Sequence, residues 1–333
     1  MRIGLSYDLK DKVPEPLGKP EDALEEYDSL ETVDAIAKAI EAQHHSVVKL
    51  GGGREFLNNV MGQRVDLVFN IAEGLGNHRS REAQVPSVLE MLGVPYSGSD
   101  PLCLAVSLEK PLAKRLVSFS GVATPRWQVV GDTRQLKEVE WGQFPLPAFA
   151  KPAHEGSSKG IRITSRLENS QQIVEAVTGL LEYYQQPVMV EEFISGEEVT
   201  VGVIGNSPPK VVGIMRVVPR KKTDYFVYSL EVKRDWESLL TYECPALLGK
   251  GVLQDIADSS LKAYEALGCR DFARMDFRIG PDGTPYFLEI NPLPGLNPKS
   301  GDLPIMAGKM GWTYEALISA ILNAALQRYS GAP

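Results

Sequence analysis

Cysteine is scarce: Cys103, Cys244 and Cys269 are the only three among 333 residues, widely spaced and set beside apolar or small neighbours. An odd count without a Cys-x-x-Cys pair argues against a disulfide framework or a zinc site and for buried thiols in a reducing compartment. The four histidines, His44, His45, His78 and His154, show no metal-ligand spacing. Long apolar runs are missing too. Met1 to Asp8 holds no signal-type apolar core, and no later stretch is long enough to span a bilayer. A cytoplasmic protein with no membrane partner is expected. Positive charge is in deficit, with 35 Lys and Arg against 43 Asp and Glu for a net charge of −8. That balance argues against a nucleic-acid partner, which calls for a basic face. It leaves room for a nucleotide, since a local lysine cluster can act inside an acidic protein. What remains is an ordinary globular composition, 43% hydrophobic and 23% charged. Its length predicts two or three domains of about 100–200 residues.

The first third alternates strand and helix. Strands are predicted at Arg2–Tyr7, Ser46–Leu50 and Asp66–Ile71. An amphipathic helix is predicted over Ser29–Gln43, with Leu30, Val33, Ile36, Ala37 and Ile40 on one face. A helix from about Glu82 to Leu92 ends at Gly93. Such alternation builds a parallel sheet covered by helices. Tyr96 to Pro101 is turn-rich and marks a first boundary. Beyond it a long helical pattern runs over Pro101–Ser120, with Pro111 starting a new turn or a kink. From Pro145 strands dominate: Ala148–Pro152, Gly160–Thr164, Val188–Phe193, Val199–Ile204 and Val211–Val218, with a helix at Asn169–Tyr184. Two further helices, Gly251–Leu267 and Thr313–Leu326, flank strands Ala273–Ile279 and Pro285–Ile290. The expected class is α/β followed by α+β, in three parts: 1–99, 100–187 and 188–333.

Three segments carry chemistry. In Arg274-Met275-Asp276-Phe277 and Phe287-Leu288-Glu289-Ile290-Asn291-Pro292, joined through Pro281-Asp282-Gly283, alternation on paired strands puts Arg274 and Asp276 on one face and Glu289 and Asn291 on one face of the partner. Two carboxylates and an amide oxygen suit magnesium, with phosphate and water completing its shell. The bland alternative is a solvated hairpin. In Ala148 to Gly160 a strand delivers Lys151 into a Gly-Ser loop whose amides can approach phosphate. The same pattern also serves as a simple turn, and it is not a P-loop. In Val190 to Thr200 an acidic pair follows an apolar strand. Such a pair can bond adenine and ribose, or merely be solvated.

Together these segments resemble the D-alanine–D-alanine ligase family of the ATP-grasp superfamily, from about Ser29 onward. Leu89 to Ser99, Lys151 to Gly160, Val190 to Thr200, Glu243-Cys244-Pro245-Ala246, Arg274 to Phe277 and Leu288 to Gly295 occur in the family's order. The resemblance implies an ATP-grasp fold, with an N-terminal parallel-sheet domain and two α+β lobes holding ATP between them. It also implies a homodimer and a place in peptidoglycan biosynthesis. By the same resemblance Lys110 and Lys151 meet the α- and β-phosphates, Lys233 the γ-phosphate, and Glu191 and Glu198 adenine and ribose. Phe193 and Leu288 wall the base. Asp276, Glu289 and Asn291 hold two magnesium ions, or manganese. Ser157 faces the γ-phosphate and first substrate, Arg274 and the Gly295 amide the oxyanion, Ser300 the second amino acid's carboxylate, and Glu25 the first amino acid's ammonium. The implied reaction activates a carboxylate as an acyl phosphate, which an amine then attacks.

Four departures fall at the amino-acid sites. Asp8 to Leu24, with Pro14, Pro16 and Pro20, replaces a Gly-Gly-x-Ser loop. Glu73-Gly74 replaces a His-Gly pair, and a carboxylate there favours an ammonium or other cation. Arg234 replaces a tyrosine, and Asn297 to Asp302 replaces a Thr-Ser-His-Ser-Leu segment. A ligase joining an amino acid to another carboxylate, and a nucleotide-binding module without turnover, are the alternatives.

Overall fold

The computed structural model describes residues 1–13, 20–221 and 223–330. Pro14 and Pro16 of the expected proline-bearing segment lie outside the described residues. The strands are β1 Arg2–Ser6, β2 Ser46–Gly51, β3 Leu67–Asn70, β4 Trp127–Val130, β5 Ala148–Pro152, β6 Arg166–Leu167, β7 Val188–Glu192, β8 Glu197–Ile204, β9 Lys210–Pro219, β10 Leu240–Glu243, β11 Phe272–Ile279 and β12 Pro285–Asn291. They form three sheets: a parallel β2-β1-β3, an antiparallel β4-β7-β5-β6 and an antiparallel β10-β9-β8-β11-β12. The α/β start and the two α+β parts after it are as expected.

Local chemistry explains the element ends. Ser29 caps the helix Leu30–Glu41, its hydroxyl accepting from the Thr32 amide at 3.3 Å. Val33, Ile36 and Ile40 are fully buried on one stripe, each contributing about 1.5–3 kcal/mol. They pack with Ile3, Leu5 and Phe69 of the parallel sheet and with Leu317, Ile321 and Leu322. The helix Tyr314–Ser330 therefore returns the chain's last residues to its first core. No described helix is long and apolar enough to cross a membrane.

One expectation needs correction. Gly160–Thr164 is not a strand: it passes through a turn into a short 3-10 segment, Ile163–Ser165, before β6. Ser157, Ser158 and Gly160 all have positive φ, and a chain curled this way cannot run extended. The long helical pattern is two helices, Pro101–Leu108 and Lys110–Phe119, with Pro111 in the first turn of the second, which is the new turn expected at that proline. The helices Gly53–Gly62 and Asp302–Lys309 and strands β4 and β10 lacked a clear period in the sequence.

Candidate active site

Strand register builds the centre of the site. On β11 and β12, Arg274 lies opposite Asn291 and Asp276 opposite Glu289. On the other side β8 sets Thr200 opposite Asp276 and Glu198 opposite Arg278. One sheet face thus carries Arg274, Asp276 and Arg278 between Glu289 and Asn291 on one flank and Thr200 and Glu198 on the other. The β11–β12 register slips after Asp276, and Phe277 pairs with Phe287. Leu288 is the extra residue of a bulge, so it lines the same cavity as its neighbour Glu289 instead of alternating away from it.

Charges on this face are interlocked. Arg274 donates to Asp276 at 2.8 Å and to Asp302 at 3.1 Å, and the Thr200 hydroxyl donates to Asp276 at 2.9 Å. The Arg274 Nε is buried without a partner among the described residues. Arg278 pairs with Glu198 at 3.1 Å and donates to the Gly196 and Phe226 carbonyls, its guanidinium 4.5 Å from the Phe193 ring centre. Lys110 lies 3.3 Å from Glu289 and donates to the Glu155 carbonyl. Lys151 sits 2.5 Å from Glu191, whose other oxygen is 2.9 Å from Lys114. Burial would raise the Glu289 carboxyl, but Lys110, Lys151 and Arg274 outweigh it and hold it at about 2. Burial pushes Glu198 up to about 7 against the pull of Arg278, and it lowers Lys233.

Two adjoining cavities share Lys233, Arg274 and Glu289. The first is lined also by Glu25, Lys110, Ser157, Asn291, Gly295 and Ser300. The second is lined by Lys151, Glu191, Phe193, Glu198, Asp276 and Leu288, with Phe149, Ile161 and Val227 adding apolar wall. Every residue expected at the site from sequence thus lies on one of the two. Two arrangements differ in detail from a simple reading. The Glu191 carboxylate is held by two lysines. Glu25 is held by Arg234 at 2.7 Å and Lys10 at 3.5 Å, which lower its pKa despite partial burial. Two of the sequence departures, through Lys10 and Arg234, therefore meet on the one Glu25 carboxylate. Ser300 is set by Asn297, whose amide oxygen accepts from the Lys299 and Ser300 amides while its nitrogen donates to Thr32 at 3.0 Å.

Sequence reading missed Lys114, Arg278 and Asp302. Arg278 was findable, since it continues the alternation of Arg274 and Asp276. Lys114, fully buried and donating to the Phe287 carbonyl at 3.0 Å, carries no motif. Asp302 comes from a helix start that the sequence did not reveal.

Among the described residues no group of three or more His, Cys, Asp or Glu could hold a metal unaided. The donors that β11 and β12 present to the cavities are the Asp276 and Glu289 carboxylates and the amide of Asn291, whose nitrogen is buried without a partner among the described residues. An all-oxygen set this small fits a hard cation that completes its shell with phosphate and water.

The D-ala D-ala ligase C-terminus family matches residues 115–323. The D-alanine–D-alanine ligase of Aquifex aeolicus is 34% identical over 296 residues, covering 89% of this chain and 94% of that protein. The crystal structure of D-alanine–D-alanine ligase from Bacillus anthracis complexed with ATP superposes with a TM-score of 0.77 at 22% identity, covering 99% of both chains. That of the VanG D-Ala:D-Ser ligase from Enterococcus faecalis gives 0.74 at 22% identity, covering 97% of this chain and 99% of its own. The fold is therefore ATP-grasp. With its residue register, twin cavities and family match taken together, the chain belongs to the D-alanine–D-alanine ligase family, enzymes that use ATP and a divalent metal to join small molecules.

Proposed function

We propose that the protein forms a dipeptide from two amino acids through an acyl phosphate, releasing ADP and phosphate. The observation that carries this reading is the cross-strand pairing of Asp276 with Glu289 and of Arg274 with Asn291, beside Lys110 and Lys151. ATP takes the second cavity. Its base lies between Phe193 and Leu288, with Glu198 at the ribose and Glu191 on the adenine side, where it also steadies Lys151. Lys110 and Lys151 meet the α- and β-phosphates, and Lys233, shared by both cavities, the γ-phosphate. Asp276, Glu289 and Asn291 would hold two magnesium ions, or manganese, which when bound neutralise charge on the transferring phosphoryl group. The first amino acid lies near Glu25 and Ser157, and its carboxylate oxygen attacks the γ-phosphorus. The second is held by Ser300, and its amine attacks the acyl carbon. Negative charge on that carbon's oxygen falls to Arg274, whose Nε has a hydrogen to give, and to the Gly295 amide. The lobes enclosing this chemistry correspond to residues 100–187 and 188–333, behind a substrate domain at 1–99. A cytoplasmic homodimer acting in peptidoglycan biosynthesis completes the reading.

The test is ADP release over a panel of D- and L-amino acids, with product masses measured. ADP release that depends on the amino acid, together with a condensed product, supports the reading. Release equally fast with no acceptor, and no condensed product, overturns it.

A further inference from the structure

The first cavity carries more negative charge than its expected ligands use. Below Lys110, Glu26 and Glu155 are both matched: Arg81 donates to Glu26 at 2.8 Å and Glu155 at 3.2 Å, and Lys159 pairs with both. Glu25 is matched by Arg234 and Lys10. Asp28, Glu73 and Glu82, from three separate segments, line the same cavity. Glu82 is only 8% exposed, yet neither its carboxylate nor that of Glu73 has a hydrogen-bond or ion-pair partner among the described residues. Glu73 is fixed in place because Gly74 packs against the Arg81 carbonyl and donates its amide to Asp8 at 2.9 Å. A carboxylate as enclosed as that of Glu82 is costly without a partner unless a ligand supplies the missing charge, and half-buried Glu73 beside it adds to that charge.

Resting on the ligase reading above, we propose that Glu73 and Glu82 form a subsite for a second cationic group on the substrate whose carboxylate is activated, making that substrate a basic amino acid with a side-chain ammonium or guanidinium. Two observations support this assignment. Glu82 lines the same cavity as Lys110, Lys233 and Glu289, where phosphoryl transfer is placed. Glu25 already has two cationic partners, so Asp28 is the acid left to meet an α-ammonium while Glu73 and Glu82 meet the side chain. Burial raises all three carboxyls, Asp28 and Glu82 to about 7, the environment a bound cation would reverse.

The test compares lysine, ornithine and arginine with alanine, in both chiralities, by ADP release and product mass on the full chain. The expected result is a preference for a basic amino acid in kcat/KM on the order of 10²-fold or more. Glu73→Gln/Glu82→Gln should cut that preference at least about tenfold through the amino acid's KM, with the KM for ATP unmoved. A wild-type enzyme that ligates alanine as well as or better than the basic amino acids overturns this inference and leaves the ligase reading standing. No amino-acid-dependent ADP release at all overturns both. The wild-type panel decides the question even if the double variant fails to fold.

Discussion

Arg274 grips two carboxylates, Asp276 and Asp302, and keeps its Nε hydrogen without a partner among the described residues. Lysine at this position retains charge but loses the fork that spans both acids. Arg274→Lys should lower kcat by about 10²–10³ with little change in the KM for ATP, as steady-state ADP release will show. Glu289 is held ionised by Lys110, Lys151 and Arg274. Glu289→Gln keeps its shape and removes the charge a metal needs, so turnover should fall below detection even at saturating magnesium. Unchanged activity would remove Glu289 from the mechanism. Glu82 obeys the opposite logic. Its carboxyl, raised to about 7 by burial, holds a proton that the unfolded chain releases near 4.5. Between those values the native state binds more protons, so this group's contribution to stability falls as pH rises through the window. Without ligand, Glu82→Gln should leave stability nearly unchanged at pH 4 and raise it at pH 8 by about 2–3 kcal/mol, as expected where a binding site has been kept at the expense of stability.

At the scale of elements, β11 is the axis of the site, with β8 and β12 placing acids on either side of its basic residues. The loop after β3 is the cavity floor. Gly74 has φ +77°, and a Cβ there would come within 2.0 Å of the Arg81 carbonyl oxygen. Gly74→Ala should therefore lower the urea midpoint, a loss of about 1–3 kcal/mol at constant m, and should weaken amino-acid binding more than ATP binding. Much of this scale was readable in the sequence. Period-2 alternation in Arg274 to Phe277 and in Leu288 to Asn291 put the right side chains on one face before any coordinates. The same reasoning failed over Gly160–Thr164, because the left-handed Ser157 and Ser158 just ahead of it, which have no sequence signature, and Gly160 itself curl the chain. At Pro111 it held, since the second helix begins there with the proline in its first turn, and only packing chose between that new turn and a mere kink.

Across the whole molecule, the second cavity, proposed above to take ATP, is shared by two sheets. Lys151, Glu191 and Phe193 come from the four-stranded sheet and the loop after it, and Glu198, Asp276, Leu288 and Glu289 from the five-stranded one. A nucleotide bound there as proposed would tie the two together. A non-hydrolysable ATP analogue with magnesium at about 100 times its Kd should stabilise the fold by about 2.7 kcal/mol. In thermal melts Asp276→Asn should lose most of the magnesium-dependent part of that gain. Retention of the full increment would move the metal elsewhere. The amino-acid sequence alone determined the parallel-sheet start, the alternating acids and bases of β11 and β12, and the lysine-bearing loop, because each depends on neighbours a few residues apart. Only the tertiary structure decided that Glu25 is matched by Arg234, that Lys114 and Asp302 belong to the site, and that Glu73 and Glu82 meet unpartnered in one cavity. Those pairings join segments tens to hundreds of residues apart, where burial sets the charge and no local pattern records it.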